Sequence, residues 1–450
     1  MTRKISIFLG ILFFLLLEPS IIFASKELTL EESIKLALEK SLSISSAQEE
    51  IKAKEFEEFS AKADFLPKLS TSYTYTRLDN DTVNDAKYTT YPYPSFSPRE
   101  VSPLDTNTYQ FNITVTQPLF TGWRLTILRE IALLGVDTAK IQKETAIQDL
   151  VLNVKEAYFG ILKAEKLENV AKQEVEQLKA NLGVSQAFYD EGIIAKNDLL
   201  QTEVQMAQAR QNLIKAENGV EIAKSLFNKL LGRELNQGVK IKDILDYYPI
   251  TLLLDQCMEK AKQNRPEIKE VSLNAMSAEK AIDLSKSSYY PSVSLIGNYQ
   301  RETDDILLDS SPEEDPDNWT IMLKGEWTFW EWRKKRYDVA AARAKLAKAN
   351  YILKEIKDNI QLEVKEAYLS LREAEKNIQV AKKAVVQAEE NFRMNEERYK
   401  QQVATSTDVL DALTLLTQAR TNYFNALSEH NTAWARLERA MGVRYNAESK

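Results

Sequence analysis

The chain has 450 residues, a formal net charge of −7 and a single cysteine. A mildly acidic balance leaves no basic footprint for nucleic acid, and one cysteine excludes any intrachain disulfide. Its 12 prolines decide the class: none occurs from Leu119 to Tyr248, or from Asp317 onward. Proline costs about 3 kcal/mol inside a helix, so those tracts read as uninterrupted helices rather than a globular mixture. Cys257, in a helical pattern, reads as a small buried apolar group.

In chain order, Arg3 and Lys4 precede the apolar run Ile5 to Leu17, and Ile22-Phe-Ala24 precedes Ser25. This is the pattern of a signal peptide over 1–24, too short to span a bilayer comfortably. With no cysteine near the cleavage site, an exported chain without a lipid anchor or transmembrane helix is expected. The spacing then predicts a helix or two over 30–66, opened by Thr29 with Glu32 three residues on and closed at Pro67. Strands are predicted at 68–78 and 107–118, the second ended by Pro118, from strict alternation such as Leu69, Thr71, Tyr73, Tyr75 against Ser70, Ser72, Thr74, Thr76.

A long helix over 123–190, roughly 100 Å at 1.5 Å per residue, reverses at Gly192-Ile193-Ile194-Ala195. A shorter helix capped at Asn197 or Asp198 returns over 197–231. After a linker, helices at 251–264 and 266–290, strands at 291–301 and 318–329, a long helix at 333–401 and a return helix at 406–441 are predicted, with a tail at 444–450. An acid-rich loop before Pro316 reads as solvated.

The second series restates the first. A constant offset of 210 residues carries Val154-Lys-Glu-Ala-Tyr158 onto Val364-Lys-Glu-Ala-Tyr368, Asp198 onto Asp408, Ala209-Arg210 onto Ala419-Arg420 and Gly232 onto Gly442. The chain is therefore an internal duplication, repeat 1 at 25–247 and repeat 2 at 248–443. Within it Ile360, Val364, Ala367, Leu371, Ala374 and Ile378 step by four and three. That heptad period supercoils packed helices left-handedly. Each return helix covers half of its long partner, and 30–65 and 266–289 have the length to cover the rest.

Four strands of about ten residues, apolar on one face and small-polar on the other, match the dyad pattern of outer-membrane barrels. Aromatic residues gather at their ends as two girdles. One holds Phe65, Phe120, Trp123, Tyr289, Tyr290, Trp327, Trp330 and Trp332, the other Tyr88, Tyr91, Tyr93, Tyr109 and Trp319. Four strands cannot close, and an open edge in hydrocarbon leaves backbone groups unpaired, so other chains must complete the wall. Two chains give eight strands and a filled interior; three give twelve and an aqueous lumen.

The duplication, the strand-ending Gln117-Pro-Leu-Phe-Thr-Gly-Trp-Arg124 and the turn Ala404-Thr-Ser-Thr-Asp-Val-Leu-Asp-Ala412 resemble the TolC family of outer membrane efflux proteins. The resemblance covers essentially all of the mature chain. It implies a mainly α protomer with a membrane β-barrel: a homotrimer forming a 12-stranded barrel in the outer membrane, continued by a 12-helix tunnel through the periplasm. It further implies a periplasmic adaptor and an inner-membrane pump as partners, and a passive exit duct of a tripartite efflux or type I secretion system.

The same resemblance puts the two helix–helix turns at a periplasmic tip that gates the tunnel. Asp408 and Asp411 match the family's aspartate rings, and three converging carboxylates in a wet throat favour cations. The rival reading has Asp408 completing a first helical turn with Thr405. Asp198 and Tyr399 match partners of a tip-closing arginine whose own position is Ala404 here, with Lys196 a possible substitute. The adaptor-contact turns are Gly192, Ile193, Ile194 and Ala195, and Gln402, Val403, Ala404 and Thr405. Gln402 replaces the expected glycine, so the second turn should be more strained or differently capped. The groove at Gly192-Ile193-Ile194 is expected to be the better adaptor site.

No metal-ligand spacing, phosphate loop or nucleophile elbow occurs, so no catalysis, cofactor or metal is expected. His430, at a heptad position held by Val220 in repeat 1, reads as a seam residue that tunes packing. The competing class is a periplasmic coiled-coil adaptor, against which the strands and their aromatic ends weigh.

Overall fold

The structure is a computed structural model that describes residues 27–78, 107–309 and 316–445. The leader at 1–24, the tyrosines 88, 91 and 93, residues 310–315 of the acid-rich loop and the end of the tail lie outside those residues. Elements run α1 (Leu30–Lys40), α2 (Leu42–Ala63), β1 (Lys68–Arg77), β2 (Asn107–Phe120), α3 (Arg124–Asp190), α4 (Lys196–Leu230), α5 (Leu254–Asn264), α6 (Pro266–Ser287), β3 (Ser292–Thr303), β4 (Asp317–Glu326), α7 (Lys334–Lys400) and α8 (Ser406–Ala440). The two halves are element-for-element equivalent, and α3 and α7 have 67 residues each. Among the described residues no helix is long and apolar enough to cross a membrane.

The stretch 30–66 is two helices, divided at Ser41, whose extended backbone (φ −65°, ψ 123°) and hydroxyl cap the second at the Ile44 N–H. Several boundaries differ from the expected ones, α5 starting at Leu254 rather than 251 and α6 ending at Ser287 rather than 290 among them, and three have a local reason. Pro118 does not end β2. It sits at a bulge against β3, past Lys68–Thr116 where the β1 ladder begins, so its missing N–H forfeits nothing on that side. β4 stops at Glu326 rather than 329, because its partner β3 starts at Ser292 and Pro291 before it offers no donor. Finally, α4 is capped by the backbone of Ala195, not by Asn197 or Asp198, which fall inside its first turn.

Two compact units cut across the repeats: one of Met1–Lys40, Asn153–Tyr247 and Asn377–Thr432, the other of Ser41–Leu152, Tyr248–Lys376 and Ala433–Lys450. In the first, Leu178, Met206, Ala209, Leu410 and Leu413 form a buried seam. Tyr158 is also fully buried there. Its hydroxyl lies 2.7 Å from the Lys242 carbonyl, where Leu28 and Ile241 form a parallel bridge. Burial pushes that phenol up to about 12. His430 is buried with its ring edge-to-face on Tyr247 at 5.2 Å, and Val220, its counterpart, is buried too.

The second unit holds the sheet, ordered β1-β2-β3-β4 with every neighbour antiparallel. Rungs run straight across it: Ser70–Thr114–Asn298–Thr320 on the polar face, Leu69–Val115–Gly297–Ile321 on the other. The period-2 pattern therefore survives as two chemically distinct surfaces. The outer edges of β1 and β4 carry no strand among the described residues. In the same unit, Cys257, Ala261, Ile360, Val364, Leu437 and Met441 build a buried core between α5, α7 and α8. Two arginines hold its end: Arg265 forks onto Glu363 at 2.8 and 2.9 Å, and Arg439 reaches Glu267 at 2.6 Å and Asp149 at 2.7 Å.

Candidate functional site

The two hairpin turns of the first unit share one backbone solution. In the first, Gly192 N–H donates to the Tyr189 carbonyl (2.9 Å) and Ile193 N–H to that of Phe188 (2.8 Å). In the second, Gln402 N–H donates to Tyr399 (2.9 Å) and Val403 N–H to Arg398 (2.9 Å). Both are Schellman caps, which need a left-handed residue. Gly192 supplies it at φ +73°, and Gln402 is forced to φ +62°. The second turn is thus capped like the first and carries the strain of a Cβ in that region.

The helix starts after the turns differ in the opposite sense. Ala195 offers α4 no side-chain cap. Thr405 and Asp408 form a reciprocal box at α8: the Thr405 N–H and hydroxyl each donate to an Asp408 carboxylate oxygen at 2.8 Å, and the Asp408 N–H donates to Thr405 Oγ1 at 3.2 Å. Donation from Thr405, backbone first and side chain second, holds the Asp408 carboxyl below the usual range, with Arg398 adding to it. The repeat with glycine in its turn lacks the cap, and the repeat without glycine has it.

Asp408 and Asp411 are both exposed on α8, and Asp198 is half-buried at the equivalent third position of α4. Tyr399 is buried near the end of α7. Its buried hydroxyl is 2.9 Å from Ser185 Oγ on α3, and its ring meets Phe188 edge-to-face at 5.4 Å. Ile193, Val403 and Thr405 are exposed, and Ile194 and Ala404 are half-buried. Lys196 is exposed as the first residue of α4.

Three further contacts join helices of the first unit. Thr202 and Ser406 share a buried hydroxyl–hydroxyl bond of 3.0 Å between α4 and α8. Arg420 on α8 reaches Glu389 on α7 at 2.8 Å and Gln173 on α3 at 2.6 Å. The only signal for Arg420 was its place in the Ala419-Arg420 repeat match; the hydroxyl pairs join residues far apart in sequence and leave no local pattern.

In the second unit the aromatic residues divide. Trp123 packs edge-to-face on Phe120 (5.2 Å) and Tyr290 (4.9 Å), Trp330 on Trp332 (5.8 Å), and Trp327 Nε1 donates to the Tyr289 carbonyl at 3.1 Å. At the other strand ends Tyr109 stacks on Tyr75 at 4.9 Å, whereas Trp319 pairs with Tyr299, four rungs along β3 from the partner of Tyr109.

A dyad-patterned sheet with two bare edges and aromatic ends, carried on a chain with paired long helical hairpins, defines a subunit of an outer-membrane duct. The chain belongs to the outer membrane efflux protein family, whose model matches residues 33–233 and 257–443. Among curated proteins it is similar to outer membrane protein TolC of Vibrio cholerae serotype O1, 24% identical over 310 residues (66% of this chain, 68% of that one). It is also similar to TolC of Escherichia coli K12, 21% identical over 373 residues (77% and 71%). Among solved structures it resembles the Campylobacter jejuni CmeC outer membrane channel, with a TM-score of 0.77 at 15% identity, covering 94% of this chain and 87% of that one. The Neisseria gonorrhoeae MtrE channel in its open state matches with a TM-score of 0.73 at 17% identity, covering 92% and 88%. These structural likenesses establish the fold. The protein resides in the outer membrane and extends into the periplasm, which sets aside a purely periplasmic adaptor.

Proposed function

We propose that this protein is the passive exit duct of a tripartite efflux or type I secretion system, working as a homotrimer with no catalysis of its own. The observation that carries this reading is the sheet with bare edges at β1 and β4. An even number of strands per subunit lets antiparallel alternation continue across each seam, β4 of one copy pairing with β1 of the next. Three copies give twelve strands and an aqueous lumen, where two would give eight and a filled interior. The polar rungs through Thr114 and Asn298 suit that lumen, and the aromatic ends suit the two interfaces.

The turns at 192–195 and 402–405 form the gated tip and the surface for a periplasmic adaptor, itself joined to an inner-membrane pump. Asp408 and Asp411, exposed on α8, supply a cation-selective ring, with Asp198 and Tyr399 bracing the closed form. The cap that Asp408 makes with Thr405 is compatible with this, because a carboxylate held ionised keeps its charge for the lumen. The adaptor prefers the Gly192-Ile193-Ile194 groove.

The test has two stages. The detergent-solubilised protein should have the mass of three chains and conduct ions across a planar lipid film; a monomer, or a silent film, refutes the duct. Exchanging Asp408 and Asp411 for Asn should then weaken block by a multivalent cation. Unaltered block removes the ring while leaving the duct in place. Site-specific crosslinking to the adaptor that favours 402–404 over 192–194 reverses the groove assignment.

A further inference from the structure

Residues 327–337 read Trp-Thr-Phe-Trp-Glu-Trp-Arg-Lys-Lys-Arg-Tyr, four aromatic residues followed by four successive cations. Most of them line, together with Tyr289, a groove of about 220 Å³ between the end of β4 and the start of α7. Of its lining Phe329 and Trp330 are 79% and 64% exposed, and Trp332, which packs edge-to-face on Trp330 just outside it, is 83% exposed. Lys335 is held in place, its ammonium 5.9 Å from the Tyr289 ring centre and donating to the Thr328 carbonyl. Arg333, Lys334 and Arg336 line the groove with it, and Glu331 is the acid among them.

The first repeat serves as an internal control. The chain enters α3 through the left-handed pair Gly122 and Trp123, and enters α7 through the equivalent pair Trp332 and Arg333. The reversal is the same, yet the first carries one cation, Arg124, where the second carries four. Turning the chain into the long helix therefore does not require the cations. Nor do they favour the helix, since positive charge in a first turn opposes the dipole, and α7 has no acid there. Their placement asks for an external anion.

The location says which one. The strand-to-helix junction of a chain whose helices extend into the periplasm lies at the periplasmic face of the outer membrane. Exposed Trp and Phe sit at the headgroup level of a bilayer, and clustered Lys and Arg beside them match lipid phosphate. We propose that this groove binds the headgroup of an anionic phospholipid of the periplasmic leaflet, its acyl chains lying along Trp330 and Trp332. The site occurs once per subunit, in the second repeat only. The proposal rests on the membrane location and is independent of the trimer and gate: a lipid-binding assay reads it even if conductance fails.

The purified full chain is titrated in detergent with phosphatidylglycerol or phosphatidylethanolamine, and bound lipid is counted by native mass spectrometry. Phosphatidylglycerol should bind at least tenfold more tightly than the zwitterionic lipid, and more weakly as sodium chloride rises from 0.1 to 0.5 M, as screening of a charge pair requires. Lys334→Gln with Arg336→Gln should weaken it about twentyfold. Lys334→Arg, and Arg343→Gln with Lys348→Gln farther along the helix, should leave it unchanged. Equal binding of the zwitterionic lipid, or salt-independent affinity, overturns the site without reference to any variant. So does wild-type affinity in the double variant, or displacement of phosphatidylglycerol by lipid A, the lipid of the opposite leaflet.

Discussion

Tyr399 and Ser185 share a buried hydrogen bond of 2.9 Å that ties the end of α7 to α3 within one subunit. The pair joins two hydroxyls, either of which can donate to the other. Tyr399→Phe should remove the bond and leave Ser185 to find another partner, costing about 1–2 kcal/mol locally. Amide hydrogen exchange should rise around 183–187 and 397–401, and planar-film recordings should show a leakier closed state. Unchanged exchange would mean that the pair contributes nothing to the tip.

A second prediction follows from the shared turn geometry. Because Gln402 occupies the left-handed position that Gly192 fills in the first hairpin, Gln402→Gly should stabilise the second turn by about 1 kcal/mol, and Gly192→Gln should destabilise the first by a similar amount. Protection of the Gln402 and Val403 amides against exchange reports the first change, and that of Gly192 and Ile193 the second.

The two tips should also respond differently to acid. The Asp408 carboxyl titrates below its ordinary range in the folded chain because Thr405 donates to its ionised form. Its contribution is therefore complete above the unfolded value, near 3.8, and is lost as pH falls through the lower folded value. Residues 405–410 should lose exchange protection below about pH 4. In Asp408→Asn that loss should no longer track pH. Residues 195–200, where Ala195 offers no such cap, serve as the reference.

Arg439 joins Glu267 and Asp149 from a nearly enclosed position. Burial alone raises the Glu267 carboxyl, and Arg439 and Arg265 more than offset this, leaving it below its ordinary range. Arg439→Ala leaves that carboxylate with Arg265 alone, at 2.9 Å, so a loss of about 2 kcal/mol is expected. Arg439→Met with Glu267→Gln should recover most of it. Heat-induced loss of the folded species on semi-native gels ranks the variants.

Much of this fold is written in period. The unbroken heptads of Ile360 to Ile378 and the alternation of Leu69 to Thr76 specify helix and strand from local sequence alone. What escaped depends on distant residues. Nothing near Trp327 and Phe329 says that their strand has run out of partner; that is decided by Pro291 and Ser292, on the neighbouring strand. Pro118 looked terminal because its neighbours were read without the bulge against β3. Apolar spacing left one helix or two open over 30–66, and the cap at Ser41 decides for two. At the tip, Gln402 was legible as a misplaced glycine, but Thr202–Ser406 and Ser185–Tyr399 are pairings across the fold that no window of sequence contains.

The bare margins of β1 and β4 also bear on inheritance. In the proposed trimer, damage to either margin in one polypeptide spoils a joint that its neighbour must share, so an impaired gene product does not merely drop out of the population. It is built into mixed assemblies alongside sound copies and ruins them, and a defective allele of this kind should act dominantly over the intact one.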